Sequence, residues 1–247
     1  IHPSTLEIMH ELDLLEDFLK RPHQPVSEFG ALIDDKRFRV ADFSTLPTRC
    51  KFIAFMPQWE FLDFIALAAR RYPSFRLMMD CAVTDLVESG GRVTGLRTQT
   101  PEGQLQIDAA LTVGADGRPS VVRAKAGLEV MKLGAPMDVL WFRVAKRQGD
   151  AEEVLFHIEA GHVLIQIDRG DYWQCAFAIP KGSFDAVRER GIEALRAELA
   201  RLAPQLASQV ADLKNWDDVK LLTVAVDRLK RWYKPGLLCI GDAAHAM

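Results

Sequence analysis

The pattern of apolar and polar positions predicts two helices near the start of the chain. The first follows Pro3, where apolar residues recur every three or four positions, and the second runs from about Pro57 to Arg71 with proline in its first turn. Both are amphipathic, so each is expected to bury one face. Between them, Gly30–Ile33 and Phe38–Val40 predict strands of a small sheet.

The next segment alternates between short apolar runs and glycine turns, which indicates a β-meander. Its predicted strands are residues 76–79, 83–88, 92–98 and 104–113. The last of them ends in the apolar stretch LTVGADG, and a helix is predicted to follow from Arg118 to Gly127.

Alternation is strongest between Val130 and Pro180, where it predicts an antiparallel sheet. The four strand-like stretches read DVLWFRV, EEVLFHI, HVLIQID and DYWQCAFAI. Residues 185–213 have helical spacing and residues 220–229 are strand-like. A closing strand, Leu237–Ile240, runs into Gly241-Asp242 and the expected first turn of a helix.

Composition and charge exclude several classes of protein to which the chain could belong. The chain has 247 residues, with 31 basic and 34 acidic side chains and a net charge of −3, which gives no electrostatic reason to expect nucleic acid or an anionic membrane as a partner. Its four cysteines form no CxxC pair, which argues against a zinc site or a disulfide framework and favours a reducing cytoplasm. No apolar run is long enough to predict a membrane span, and no signal peptide is evident.

Two junctions share one design, in which an apolar strand is followed by glycine and aspartate and then by a predicted helix. They are Gly114-Ala115-Asp116-Gly117 and Gly241-Asp242-Ala243. Glycine permits close approach of a ligand to the backbone, a helix N-terminus offers free N–H groups to an anion, and the carboxylate can accept hydrogen bonds from sugar hydroxyls. The alternative for Asp242 is that it only caps its helix. Two such junctions in one chain favour a cofactor site.

Other candidate residues carry weaker signals. His157 and His162 have no third ligand at metal spacing, so we expect no metal site, and His245 has no Ser or Cys nucleophile pattern nearby. The aromatic residues of the predicted sheet favour core packing individually, although one sheet face could form the wall of an aromatic pocket. They are Trp141, Phe142, Trp173 and Phe177.

Several motifs together resemble the FAD-dependent aromatic hydroxylases, the single-component flavoprotein monooxygenases with the fold of p-hydroxybenzoate hydroxylase. DGRPSVVR resembles the family's DG motif, and RWYKPGLLCIGDAAHAM resembles its second FAD motif. IHPSTLEI resembles the helix after the first βαβ unit, and Met56-Pro57-Gln58 resembles the segment whose Gln contacts the flavin. The four matches follow the family's order along nearly the whole chain.

The resemblance implies a mixed α/β fold in two interleaved parts. A Rossmann-like FAD-binding part, incomplete here, would comprise residues 1–26, 55–128 and 227–247. A substrate-binding part, mainly antiparallel sheet, would comprise residues 27–54 and 129–226.

The resemblance also implies roles for residues. Asp242 would hold the ribityl chain of FAD, with the backbone of Gly241 and Ala243 near the phosphates. Gln58 would contact the cofactor, and the other three candidate cofactor residues would organise and brace the groove for FAD and NAD(P)H: Asp116, Gly117 and Arg123. No side chain is identified as a catalytic acid or base.

The implied function is that of an NAD(P)H-consuming, FAD-dependent monooxygenase in the cytoplasm. It would hydroxylate a phenolic or polyketide-like aromatic substrate with O₂ through a flavin C4a-hydroperoxide. Three alternatives stay open: a related flavin halogenase or oxidase, a non-catalytic remnant that binds a ligand through its sheet, and an NAD(P)-only reductase, which the pairing of the two motifs weakens.

The ends of the chain lead to one further expectation. In the family, GxGxxG precedes the helix found here at the start, and further segments follow GDAAH. The chain begins with Ile rather than Met, so we expect it to be the middle of a longer protein. We therefore expect this fragment alone to be inactive and to bind FAD weakly or not at all, because GxGxxG carries the pyrophosphate contact.

Overall fold

The fold was established from a computed structural model, which describes residues 1–33, 36–150 and 154–247. These residues form two compact units. The first comprises Ile1–Phe75 and Met137–Thr223, and the second comprises Arg76–Pro136 and Val224–Met247.

Seven α-helices lie within the described ranges. They are α1 (Pro3–Glu11), α2 (Leu15–Leu19), α3 (Gln58–Ala69), α4 (Val121–Lys125), α5 (Phe184–Glu189), α6 (Ile192–Leu202) and α7 (Ala207–Val210). Three short 3₁₀ turns accompany them, at Pro204–Leu206, Trp216–Asp218 and Gly241–Ala243.

The strands of the same ranges are numbered in chain order. They are β1 (Gln24–Val26), β2 (Glu28–Ile33), β3 (Lys36–Asp42), β4 (Ile53–Phe55), β5 (Ala82–Ser89), β6 (Arg92–Thr100), β7 (Gly103–Asp108), β8 (Thr112–Gly114), β9 (Val130–Lys132), β10 (Met137–Ala145), β11 (Leu155–Glu159), β12 (His162–Asp168), β13 (Tyr172–Pro180), β14 (Lys220–Leu222), β15 (Asp227–Leu229), β16 (Tyr233–Lys234), β17 (Leu237–Cys239) and β18 (His245–Ala246).

A seven-stranded sheet dominates the first unit, in the order β14-β10-β13-β12-β11-β2-β3. Its neighbours are antiparallel except for the parallel pair β11 and β2. Alternation along β10 buries Leu140, Phe142 and Val144 on one face, where they join the core formed with α5, α6 and α7. The predicted antiparallel sheet is therefore confirmed, but β2 and β3 extend it instead of forming a small sheet of their own.

A second core of this unit packs its first three helices together. Phe18 of α2 is fully buried and contacts the ring of Phe64 on α3, with ring centroids 5.6 Å apart. Leu6 and Met9 supply the buried face of α1, which is the face that its apolar spacing predicts. The predicted helices at Pro3 and Pro57 are thus confirmed, and α3 begins one residue after Pro57.

The second unit consists of three three-stranded sheets, β5-β6-β7, β16-β17-β8 and β18-β15-β9. The first is the predicted meander. A single core lies beneath them, which includes Leu86, Val93, Val122, Leu229 and Leu237.

Some predicted strands were too long, because one continuous apolar pattern can cover two strands that pair with different neighbours. The predicted strand 104–113 is two strands, since β7 pairs with β6 whereas β8 pairs with β17. Likewise, 220–229 divides into β14, which pairs with β10, and β15, which pairs with β9. Residues 76–79 were wrongly predicted as a strand and have no strand partner in the described ranges.

The predicted helix 185–213 is interrupted at two places where the backbone cannot continue a helix. Gly191 adopts a φ of +85° between α5 and α6, and α6 ends before Pro204, which has no N–H to donate. Leu195, Leu199 and Leu202 of α6 are buried at helical spacing, as their pattern predicts.

The contacts also group residues that the resemblance assigns to different parts. Residues 1–26 and 55–75 lie in the same compact unit as the seven-stranded sheet. Compactness does not identify what each part binds, so the division into an FAD-binding part and a substrate-binding part stays a prediction.

Candidate functional site

The first junction is an internally hydrogen-bonded loop between β8 and α4. The carboxylate of Asp116 accepts hydrogen bonds from the Ser120 hydroxyl at 2.6 Å and from the Val122 N–H at 3.0 Å. Ser120 in turn caps α4 by accepting a hydrogen bond from the Arg123 N–H at 2.9 Å. Asp116 therefore fixes the path of the chain into the helix. That helix is Val121–Lys125, shorter than the predicted span of 118–127.

The second junction looks similar in sequence but is built differently. The expected helix after Asp242 is only a 3₁₀ turn, Gly241–Ala243, and its cap residue is Ile240. No side chain of the described residues caps this turn, so the alternative that Asp242 is a helix cap is wrong for this structure. The side chain of Asp242 is 60% exposed. Its carboxylate is consequently accessible to a ligand.

The sheet brings these two junctions together. Strands β8 and β17 are adjacent and parallel, with Cys239 opposite Gly114, and the Ile240 N–H donates to the Gly114 carbonyl at 2.9 Å. Since parallel strands end at the same edge of a sheet, both loops emerge side by side. The Arg118 guanidinium lies 3.5 Å from the Asp242 carboxylate and links them.

Glycine is required at Gly114 for packing rather than for a ligand. A Cβ at this position would lie 2.8 Å from Val122 and 3.3 Å from the sulfur of Cys239. By contrast, Gly117 (φ +70°) and Gly241 (φ +55°) have left-handed backbone, and a Cβ at either would meet no described atom within 4 Å. Among the three glycines of the two junctions, the open ones are therefore Gly117 and Gly241.

Arg123 supports the loop through an ion pair rather than by facing the accessible edge. Its guanidinium lies 3.3 Å from the Asp227 carboxylate, and both side chains are largely buried, at 12% and 13% exposure. The pair connects α4 to β15.

Burial raises the pKa of the Cys239 thiol, and the nearby charge of Asp116 raises it further, so this cysteine is not a ready nucleophile.

Gln58 lies in the first unit, at the first position of α3. It borders a cavity of about 880 Å³. The cavity is lined by residues from three parts of this unit: Pro22–Gln24, Phe55–Glu60, and a group from the sheet that comprises Arg143, Lys146, Asp168–Tyr172 and Gln174.

Charged side chains of the sheet meet at this cavity. The Lys146 ammonium is 2.6 Å from the Asp168 carboxylate in a pair that is nearly buried. The guanidinium carbon of Arg143 lies over the Tyr172 ring, 4.8 Å from its centroid, and that of Arg169 lies over the Phe55 ring at 5.4 Å. Sequence reasoning missed these arginines. The available signal was the alternation of β10, which points Arg143 away from the face that buries Phe142.

The four aromatic candidates of the sheet do not form one pocket wall. Phe142, Trp173 and Phe177 are at most 3% exposed and belong to the core against the helices. Trp141 lies at an alternate position of β10, half-buried on the opposite side. Core packing therefore accounts for three of the four.

The histidines have protein partners. The ring Nε2 of His157 is buried, 3.2 Å from the Gln166 amide oxygen, and His162 lies 3.0 Å from the Glu198 carboxylate. Across residues 1–33, 36–150 and 154–247, no group of three or more His, Cys, Asp or Glu side chains is placed to hold a metal. In the same ranges, no helix has the length and apolarity that a membrane span requires.

Comparison with known proteins assigns the class. The profile of the FAD binding domain family matches residues 1–247, and the chain belongs to this family. It is 31% identical over 247 residues to the 6-methylpretetramide 4-monooxygenase of Streptomyces rimosus. The match covers 99% of this chain and 59% of that enzyme, so the chain spans about three-fifths of the relative's length.

Solved structures show the same fold at low sequence identity. PqsL, a probable FAD-dependent monooxygenase from Pseudomonas aeruginosa, superimposes with a TM-score of 0.81 at 18% identity, covering 100% of this chain and 68% of PqsL. The myxobacterial FAD-dependent halogenase CndH gives a TM-score of 0.81 at 17% identity, covering 99% of this chain and 59% of CndH. The mixed α/β fold implied by the sequence motifs is confirmed.

Proposed function

We propose that this chain forms the cofactor groove and part of the substrate pocket of an FAD-dependent, NAD(P)H-consuming monooxygenase. Its substrate would be a phenolic or polyketide-like aromatic compound. The observation that carries the proposal is the pairing of the two glycine–aspartate junctions at one edge of a parallel strand pair. Membership of the FAD binding domain family and the monooxygenase relative support it.

The residues at the paired junctions fit a flavin cofactor. The exposed carboxylate of Asp242 is suited to accept hydrogen bonds from ribityl hydroxyls. The open backbone at Gly241, together with Ala243, would lie near the phosphates, since no described atom lies within 4 Å of the position that a Cβ would take at that glycine. Gly117 presents a second open stretch of backbone on the neighbouring loop.

The remaining candidate residues would act as supports. Asp116 holds the first loop by its two internal hydrogen bonds, and Arg123 braces α4 through Asp227. Gln58 would contact the cofactor from its place beside the cavity of the first unit. When bound, FAD supplies hydride acceptance from NAD(P)H and activation of O₂, whereas the protein supplies position, dryness and electrostatics.

We also propose a small aromatic substrate, O₂ as co-substrate and a cytoplasmic location. All four cysteines are free thiols, which fits a protein that does not depend on disulfide bonds.

A labelling experiment tests the proposal. The full-length protein, purified with its flavin, is mixed with NADH or NADPH under ¹⁸O₂ and a panel of phenols. Aromatic substrates should accelerate the consumption of NAD(P)H, and mass spectrometry should find one labelled oxygen atom in the product. Reduction without a labelled aromatic product would contradict the hydroxylase. A halide-dependent halogenated product would favour the halogenase instead, and absence of flavin from the full-length protein would favour a non-catalytic remnant.

A further inference from the structure

The exposed carboxylate of the second junction has a protein partner that comes from the first junction. Oδ2 of Asp242 lies 3.5 Å from Nε of Arg118, the residue that follows Gly117. The other oxygen, Oδ1, has no donor or cation as a partner among the described residues. Arg118 therefore engages one oxygen of this carboxylate and leaves the second one for a ligand.

The aspartate of its own loop does not compete for Arg118. Asp116 uses one carboxylate oxygen for the Ser120 hydroxyl and the other for the Val122 N–H. Within the described part of the chain, Asp242 is the carboxylate that lies within 4 Å of the Arg118 guanidinium. The positive charge of the first junction is consequently directed at the second junction.

A second contact fixes the position of the Arg118 guanidinium. Its Nη1 donates to the Ala225 carbonyl oxygen at 3.3 Å, in the segment that leads into β15. The guanidinium is a rigid plane of N–H donors, so a hydrogen bond from one nitrogen restricts the direction of the others. The side chain is also only 28% exposed. The bond to Ala225 therefore helps to hold Nε beside Asp242.

Strand pairing fixes the backbone on both sides of Asp242. Strand β17 leads into the turn and pairs with β8, whereas β18 follows the turn and pairs with β15. The ion pair between Arg123 and Asp227, at 3.3 Å, in turn connects β15 to α4. The main chain of the second junction is thus held by the sheets, and Arg118 supplies the contact that restricts the side chain of Asp242.

Restriction of this side chain affects binding more than it affects folding. An exposed aspartate populates several rotamers, and a ligand that binds only one of them must overcome the loss of that freedom. A partner that already restricts the side chain lowers this entropic cost. The ion pair itself is long and partly exposed, so its contribution to the stability of the fold is expected to be small.

We infer that Arg118 is a positioning residue for the flavin. It holds the Asp242 carboxylate through Oδ2, so that Oδ1 is already oriented to accept a hydrogen bond from a ribityl hydroxyl. The inference rests on the proposed function, which assigns the ribityl chain to Asp242. In this role Arg118 acts through Asp242 and not by direct contact with the cofactor.

A double-mutant cycle on the full-length protein tests the inference without catalysis. The flavin is removed, and the affinity for added FAD is measured by fluorescence quenching. Arg118→Gln should weaken FAD binding by about 3- to 10-fold, the range expected when one more side chain must be ordered on binding. In a protein that already carries Asp242→Ala, the same substitution should change the affinity by less than about 2-fold, because no carboxylate remains to be positioned.

Two further variants serve as controls. Arg118→Lys retains the charge but not the planar set of donors, so its FAD affinity should lie between those of the unchanged protein and Arg118→Gln. Arg92→Gln removes a guanidinium of the same unit that donates to the Ala110 carbonyl oxygen at 2.7 Å, and it should leave FAD affinity within about 2-fold. Thermal unfolding of each flavin-free variant confirms that it is folded.

The outcomes separate this inference from the proposed function. Equal weakening by Arg118→Gln with and without Asp242 would show that Arg118 contacts the cofactor directly, and it would overturn the inference while the proposed function stands. Unchanged FAD binding by the single variant would also overturn it, as would tighter binding, which would mean that Arg118 competes with FAD for Asp242. If Asp242→Ala alone leaves FAD affinity unchanged, the proposed role of Asp242 fails and the inference fails with it.

Discussion

The two glycine–aspartate junctions look equivalent in sequence but have different roles in the structure. Asp116 directs both carboxylate oxygens into its own loop, to the Ser120 hydroxyl and the Val122 N–H. Within the described residues, Asp242 does not cap the turn that it belongs to; it stays 60% exposed and forms a 3.5 Å ion pair with Arg118. An aspartate beside glycine at the end of a strand therefore does not have one fixed role. Its role depends on whether the following residues fold back to satisfy the carboxylate.

The largest expected effect is the loss of flavin affinity on replacing Asp242. In the full-length protein purified with its flavin, Asp242→Ala should weaken FAD binding by about 10- to 100-fold, which corresponds to about 1.5–3 kcal/mol for a hydrogen bond to a charged acceptor. Fluorescence quenching measures the affinity. The thermal midpoint without flavin should change little, because the side chain is exposed and caps no helix. Unchanged affinity for FAD would show that Asp242 pairs with Arg118 but does not bind the cofactor.

The opposite result is expected at the first junction. Asp116→Ala should lower the free energy of unfolding by about 2 kcal/mol, since it removes two internal hydrogen bonds and loosens the cap of α4. Denaturant unfolding of the flavin-free protein measures the difference. Asp242→Ala serves as the matched control, because it removes the same group from the other loop. If both variants lose equal stability, the distinction between the two aspartates fails.

A smaller effect is expected from the glycine of the second junction. Gly241→Ala should cost about 1 kcal/mol of stability, because φ is positive there and alanine disfavours that region. Gly127→Ala is the control, since Gly127 has a φ of +65° and equally open surroundings but lies outside the two junctions.

Flavin binding separates those two glycines. Both variants should lose similar stability in chemical denaturation. Only Gly241→Ala should also weaken FAD binding, by about 3- to 10-fold, because its methyl group would occupy the space through which the ligand approaches the backbone. Equal flavin affinity in the two variants would argue that the ligand does not approach Gly241.

Local pattern predicted much of the secondary structure and the order of the motifs. Helical spacing located α1 and α3, and strict alternation located β10, β12 and β13. These predictions succeeded because the spacing of apolar residues within an element determines which of its faces is buried. The breaks in segments 104–113 and 220–229 were missed because each depends on which strand, distant in the chain, pairs with either half.

The candidate site divides in the same way. The sequence by itself determined the two glycine–aspartate motifs and their family, since those rest on residue type and spacing. Only the tertiary structure decided that β8 and β17 are parallel neighbours and that Asp116 is satisfied within its loop while Asp242 is not. It alone placed Arg143 and Arg169 beside one cavity without carboxylate partners in the described ranges. The physical reason is that pairing and solvation belong to neighbours in space, which spacing along the chain does not specify.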